Sequence, residues 1–364
     1  MTRLLMAFIL GWTSGALAKT SDVVSQGQGA VQKGIAWLKT QQNPDGSWTK
    51  IPFPAITGLA VLAMAQSGLT EKDPAVLKAV RRLTMFVKPD GGMYDQGAAS
   101  QNTAICLMAL AATKNPAYEP VIKNARAFLL SLQVDQGEGK NPEHPHYGGI
   151  GYDSKGIPDL QNLHWSLMAL RMTDPGTGPD TSPTGDVKEG NVWDRAMLFL
   201  KRCQNLKGSN DQPWSLNDGG FIYATEPESK VEGNPTQSYG TMTYAGLLSF
   251  IYTQASKDHP SVQAAYKWIG EHYTLEENPM MGAQGLYYGY HTMAKALAAY
   301  GSPTIVDAKG RAEAYAELQR LVRDEAPWVF LWQQHDLYGV ASHIEWTPRA
   351  DEKVWMYEAK ALQR

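Results

Sequence analysis

The sequence predicts an all-α fold of two helical layers, one wrapped around the other, and three observations carry that prediction. Within 364 residues a unit recurs five times: a helix with one apolar stripe, a Gly- and aromatic-rich turn, and a helix apolar on most faces. The striped helices are wet on one side and belong outside; the apolar helices are covered on most sides and belong inside. A period of this kind makes stacked helix pairs, so function is expected where the inner helices converge.

The first copy places an outer helix at Lys33–Gln42, a turn at Asn43-Pro44-Asp45-Gly46-Ser47-Trp48 and an inner helix at Ala55–Gln66. In the second, Val76, Val80, Leu83 and Val87 form the outer stripe, Asp90-Gly91-Gly92-Met93-Tyr94 the turn and Ile105–Leu110 the inner run. The third has Val121, Ala125, Phe128 and Leu132, then Gly148-Gly149-Ile150-Gly151-Tyr152, then Trp165–Leu170. The fourth has Val192, Ala196, Phe199 and Cys203, then Asp218-Gly219-Gly220-Phe221-Ile222-Tyr223, then Tyr244–Leu248. The fifth has Val262, Tyr266, Ile269 and Tyr273, then Gln284-Gly285-Leu286-Tyr287-Tyr288, then Met293–Ala299. Spacing of i, i+4, i+7 and i+11 is one face of a helix. The glycines allow the left-handed turn that ends a helix, and the aromatics cover it. These turns read as structural clasps.

A sixth outer helix is expected from about Arg311, on Tyr315, Leu318 and Val322, but Pro327 stops it and β-favouring aromatic runs follow. Residues 1–18 have the pattern of a cleavable signal peptide: Arg3, the apolar run Leu4–Trp12, and the small-x-small end Gly15-Ala16-Leu17-Ala18. The expected setting is secreted or periplasmic, with no integral membrane segment after cleavage. A formal charge of −3 without a basic block excludes nucleic acid as an expected partner. Cys106 and Cys203 sit on apolar helices and read as small buried hydrophobes.

Gln41 or Gln133, followed by a Gly-x-aromatic turn, resembles the QW repeat of the squalene-hopene cyclase and protein prenyltransferase superfamily. Over about residues 28–310 the chain is similar to secreted prenyltransferase/squalene-oxidase-repeat proteins. The resemblance implies an α/α toroid of alternating outer and inner helices, here five pairs plus a partial sixth, ending in a short irregular or β tail. That tail, through Trp346-Thr347-Pro348-Arg349-Ala350-Asp351 and Val354-Trp355, resembles the end of family 5 extracellular solute-binding proteins. The implied organisation is signal peptide 1–18, toroid 19–310 and tail 311–364.

The chemistry of the resembled families is only partly present. The cyclases protonate an alkene with Asp-x-Asp-Asp at an inner-helix start. The nearest match is Asp159-Leu160-Gln161-Asn162, and the preceding inner helix starts Ala99-Ser100-Gln101-Asn102. Amides stand where the last two acids would be, and an amide delivers no proton to an alkene. Asp159 and Asp218 remain as catalytic candidates, with a helix cap and a turn residue as their respective structural readings. Tyr290-His291-Thr292 resembles the context of the prenyltransferases' zinc-binding His, but Gln237–Tyr244 supplies neither the Asp nor the Cys of that set. No metal and no cofactor are expected. Neither cysteine stands in a thioester motif, and Glu143, His144 and His146 read as a solvated loop.

The inner-helix starts then bring together Gln101, Asn102, Gln161, His164, Trp165, Tyr239, Tyr244, Tyr290 and His291 as ligand-binding residues. An aromatic surface with a few hydrogen-bonding groups suits a small hydrophobic molecule or a glycan. The expected function is non-catalytic binding of such a ligand. A terpene-cyclase-like or prenyltransferase-like enzyme is the alternative, and a fragment of an ABC-transporter solute-binding protein is third.

Overall fold

The computed structural model describes residues 29, 31–51, 53–174, 187–302, 304–307, 309, 312–314, 344–345 and 360–361. The expected signal peptide, the helix marked by Tyr315, Leu318 and Val322, and nearly all of the solute-binding-like tail lie outside the described residues. By internal contacts the chain divides into a unit of residues 1–331 and a unit of residues 332–364.

Among the described residues the first unit holds five helix pairs. The outer helices are α1 (31–41), α3 (Pro74–Thr84), α5 (Glu119–Ser131), α7 (Val187–Cys203) and α9 (Pro260–Glu271). The inner helices are α2 (Pro54–Gln66), α4 (Ala99–Thr113), α6 (Leu160–Met172), α8 (Gly240–Tyr252) and α10 (Leu286–Tyr300). Each inner helix packs on the next, α2 on α4, α4 on α6, α6 on α8 and α8 on α10. Outer helices lie against them, α3 on α2, α5 on α4 and α9 on α8. This is the α/α-toroid arrangement. Burial follows the sequence pattern: α4 is buried from Ala99 to Leu110, whereas α3 buries only Val76, Ala79, Val80 and Leu83.

A repeated lattice locks each turn to the next outer helix. Gly46, Gly91, Gly148 and Gly219 all have φ between +85° and +91°. A Cβ on any of them would strike the backbone carbonyl of Lys78, Asn124, Arg195 or Ala264, respectively. Three glutamines complete the clasp. Gln42 Nε2 donates to the carbonyls of Gly46 and Ala75, Gln133 Nε2 to Gly148 and Val192, and Gln204 Nε2 to Gly219 and Ser261. Each bond pair ties a turn to the N-terminal part of the following outer helix, where the amide side chain satisfies backbone carbonyls. The first clasp uses Gln42 rather than Gln41, which is exposed and bonds only to Thr40 Oγ1.

Three further differences from expectation have physical causes. The fifth turn's Leu286, Tyr287 and Tyr288 lie in α10, capped by left-handed Gly285. Residues 312–314, expected to begin a helix, form β2 (Ala312–Ala314), which pairs antiparallel with β1 (Thr304–Val306). Strand pairing satisfies their backbone and buries Ile305. His146 is buried rather than solvated, with its Nε2 3.0 Å from Glu226 Oε1. Its loop is strapped down by buried Arg202, which donates to the carbonyls of Pro142 and His144 and to Asp211. Cys106 and Cys203 are free and buried. In the second unit, β3 (Ile344–Glu345) pairs antiparallel with β4 (Lys360–Ala361).

Candidate functional site

The starts of the inner helices are cross-braced by side chains from neighbouring repeats. The Ala55 N–H of α2 donates to Asn102 Oδ1, the Ser100 hydroxyl of α4 to Asn162 Oδ1, and the Thr241 N–H of α8 to Asn278 Oδ1. Asn102 Nδ2 also donates to the Gly97 carbonyl. The amides at Asn102 and Asn162 are thus engaged in holding helix ends.

Asp159 caps α6. Its Oδ1 accepts from the Asn162 N–H at 2.8 Å and its Oδ2 from Asn162 Nδ2 at 2.6 Å. The residue is 2% exposed. Burial pushes its carboxyl up to about 6, against the pull of the Asn162 bonds and the Tyr223 hydroxyl beside it. Four tyrosines feel its charge: Tyr152, Tyr223, Tyr239 and Tyr288. The Tyr152 and Tyr223 hydroxyls lie 3.2 Å apart. The result is one buried carboxyl inside a set of phenols, at the point where α6, α8 and α10 begin.

Further along α6 the surface changes character. Trp165 stacks on Tyr288 and on His291, with ring centroids 6.1 Å and 5.8 Å away. His164 Nδ1 lies 3.1 Å from Ser249 Oγ, and its ring stacks on Tyr252. Lys295 Nζ reaches Met168 Sδ at 3.5 Å. Burial and the Lys295 charge hold both imidazoles down to about 3, so they are neutral in ordinary solution. Burial also lowers the Lys295 amine.

The expected residues therefore divide. His164, Trp165, Tyr239 and His291 belong to this connected surface with Asp159. Tyr244 faces the outer layer, beside Tyr266 and Tyr273. Tyr290 donates its hydroxyl to the Leu275 carbonyl. Asn102 serves as a cap for α2, while Gln101 is buried in α4 and Gln161 half-buried in α6. Asp218 is an exposed turn residue whose Oδ1 accepts from the Gly220 N–H and the Ser238 hydroxyl. Asp45 and Asp90 hold their own turns in the same way, accepting from the Ser47 and Gly92 N–H groups. The repetition marks Asp218 as a turn former.

Sequence reasoning missed Tyr288, Tyr252, Ser249 and Lys295. Lys295 had a visible signal, a lone charge in the apolar run Met293–Ala299. Among the described residues no group of three or more His, Cys, Asp or Glu could hold a metal ion. Among them, too, no helix is long and apolar enough to cross a membrane.

Helix pairs in this order define an α/α-toroid repeat fold. In sequence the chain is similar to the squalene–hopene cyclase of Alicyclobacillus acidocaldarius, at 26% identity over 230 residues. That match covers 58% of this chain and 35% of the cyclase, so the chain spans about a third of that relative. Among solved structures it is similar to the apo type II terpene cyclase MstE from Scytonema, with 14% identity, a TM-score of 0.47, and coverage of 76% of this chain and 77% of that one. A variant of the same cyclase in complex with geranylgeranyl dihydroxybenzoate gives 14% identity and a TM-score of 0.45, covering 77% and 78%. No protein-family model matches the chain.

Proposed function

We propose that this chain is a terpene-cyclase-like enzyme that takes an isoprenoid chain along the inner faces of α6, α8 and α10, with Asp159 as its proton donor. One observation carries the reading: a buried carboxyl, raised to about 6, surrounded by Tyr152, Tyr223, Tyr239 and Tyr288. In mildly acidic surroundings that carboxyl carries a proton. Transfer to the substrate leaves a carboxylate that the Asn162 N–H groups already contact. The developing carbocation meets tyrosine faces, whose quadrupoles attract positive charge. Ring closure followed by loss of one proton gives a product isomeric with the substrate. The sequence kinship to squalene–hopene cyclase supports this class of chemistry. The proposed setting is outside the cytoplasm, on the pattern of residues 1–18.

A non-catalytic binding role is the second reading, and a specific observation favours it. Asn102 and Asn162 are spent on helix ends, and a carboxyl raised to about 6 is a weak acid toward an alkene. Incubation with squalene and with geranylgeraniol, followed by extraction and mass spectrometry, separates the two. The enzyme reading expects cyclised products of unchanged mass, lost by at least about a hundredfold in Asp159→Asn while substrate is still retained. Retention without any product sinks catalysis and leaves binding.

A further inference from the structure

The inner face beyond Asp159 carries polar groups for which the described residues supply no partners. The Nε2 atoms of His164 and His291 are buried and have no hydrogen-bond partner, while the Trp165 indole N–H is directed at the Tyr288 hydroxyl. His164 is fully buried and Trp165 is 4% exposed. A neutral imidazole nitrogen takes either a donor or an acceptor, so the charge beside this cluster decides what completes it. Lys295 adds an amine with Met168 Sδ as its hydrogen-bond partner, and among the described residues no carboxylate lies within ion-pair distance of it. A partly desolvated cation is costly unless an anion pairs with it.

We propose that Lys295, His164 and His291 form a subsite for the carboxylate head of an apolar acid, with Lys295 as counter-charge, the imidazoles as neutral hydrogen-bonding groups and the Trp165–Tyr288 pair as one wall. The assignment rests on the isoprenoid reading above and deepens it: the substrate class becomes an isoprenoid acid rather than a pure hydrocarbon. Met168 lies nine residues beyond Asp159, about 13 Å along the axis of α6. An acid anchored at Lys295 would extend its chain along α6 toward the Asp159 carboxyl. The neutral imidazoles fit this role, because they add hydrogen bonds without a second and third buried charge.

Calorimetric titration with geranylgeranoic acid and with geranylgeraniol tests the subsite on the full chain. Lys295→Met removes the charge while matching the apolar surroundings, and His291→Phe removes the unpartnered imidazole nitrogen while keeping an aromatic ring; circular dichroism checks that each folds. The expected result is an acid that binds at least about tenfold tighter than the alcohol. Lys295→Met erases that preference, and His291→Phe weakens the acid without reversing it. Equal affinities in the unaltered protein overturn the subsite and leave the isoprenoid reading standing. A folded Lys295→Met that keeps the full preference also overturns it. Binding of neither compound overturns both.

Discussion

Three side chains on this inner face set opposing responses to acid. Asp159 has its folded-state value raised from 3.8 to about 6, so between these limits the folded chain holds the proton more firmly than the unfolded chain. Acidification through that window therefore favours folding at this residue. His164 and His291 are lowered from 6.5 to about 3, so across the same window the unfolded chain holds more protons and acidification favours unfolding. Each fully mismatched group contributes about 1.4 kcal/mol per pH unit, so two imidazoles outweigh one carboxyl by about that amount. Asp159→Asn removes the opposing contribution while retaining a good cap residue. Urea unfolding at pH 4, 5 and 6 is expected to show a steeper loss of stability in the variant than in the unaltered protein; an unchanged slope would show that Asp159 is not raised. Asp159, His164, Trp165 and His291 were legible in the sequence because they stand at inner-helix starts. Tyr244 and Tyr290 were assigned to the same surface because a helix apolar on all sides does not reveal which face points inward.

At the level of the element, the clasp between a turn and the next outer helix explains why the repeat has the residues it has. Apolar periodicity placed the helices, and the Gly-aromatic turns placed the links, so the architecture was readable. The choice between Gln41 and Gln42 was not, because it depends on which amide reaches two carbonyls from different repeats. Gln204 and Gln133 are buried, and Gln42 is half-buried. Replacing Gln204 by Ala leaves the Gly219 and Ser261 carbonyls without their side-chain partner, at a cost of about 2–3 kcal/mol. Thermal and urea unfolding of the three Gln→Ala variants should rank Gln204 and Gln133 above Gln42 in cost, since water can replace the amide at Gln42. Gly148→Ala should cost more than any of them. Its Cβ would sit 1.9 Å from the Arg195 carbonyl oxygen at a φ of +85°, so both the contact and the backbone are strained. Equal stability of Gly148→Ala and the unaltered chain would show that the turn and α7 are not in contact.

For the first unit as a whole, order of stability follows from order of packing. Each inner helix is held by its inner neighbours and by outer helices, so local opening costs most where those contacts are complete. Helix α4 packs on α2, α6 and α5 and is buried continuously from Ala99 to Leu110. Helix α8 packs on α6, α10, α9 and α7 and is buried from Gly240 to Phe250. Helix α10 buries six of its 15 residues and carries the uncompensated Lys295 amine and the orphaned His291 Nε2. Hydrogen exchange read by mass spectrometry is therefore expected to be slowest in peptides from α4 and α8 and faster in α10. An acid ligand that pairs with Lys295 should slow α10 most, because it supplies the partners that α10 lacks and stabilises the state that binds it. Geranylgeranoic acid at saturating concentration provides the comparison. Protection gained in α10 and the α6 segment around Trp165, with α3 unchanged, would locate the ligand on the inner face; uniform or absent protection would place it elsewhere.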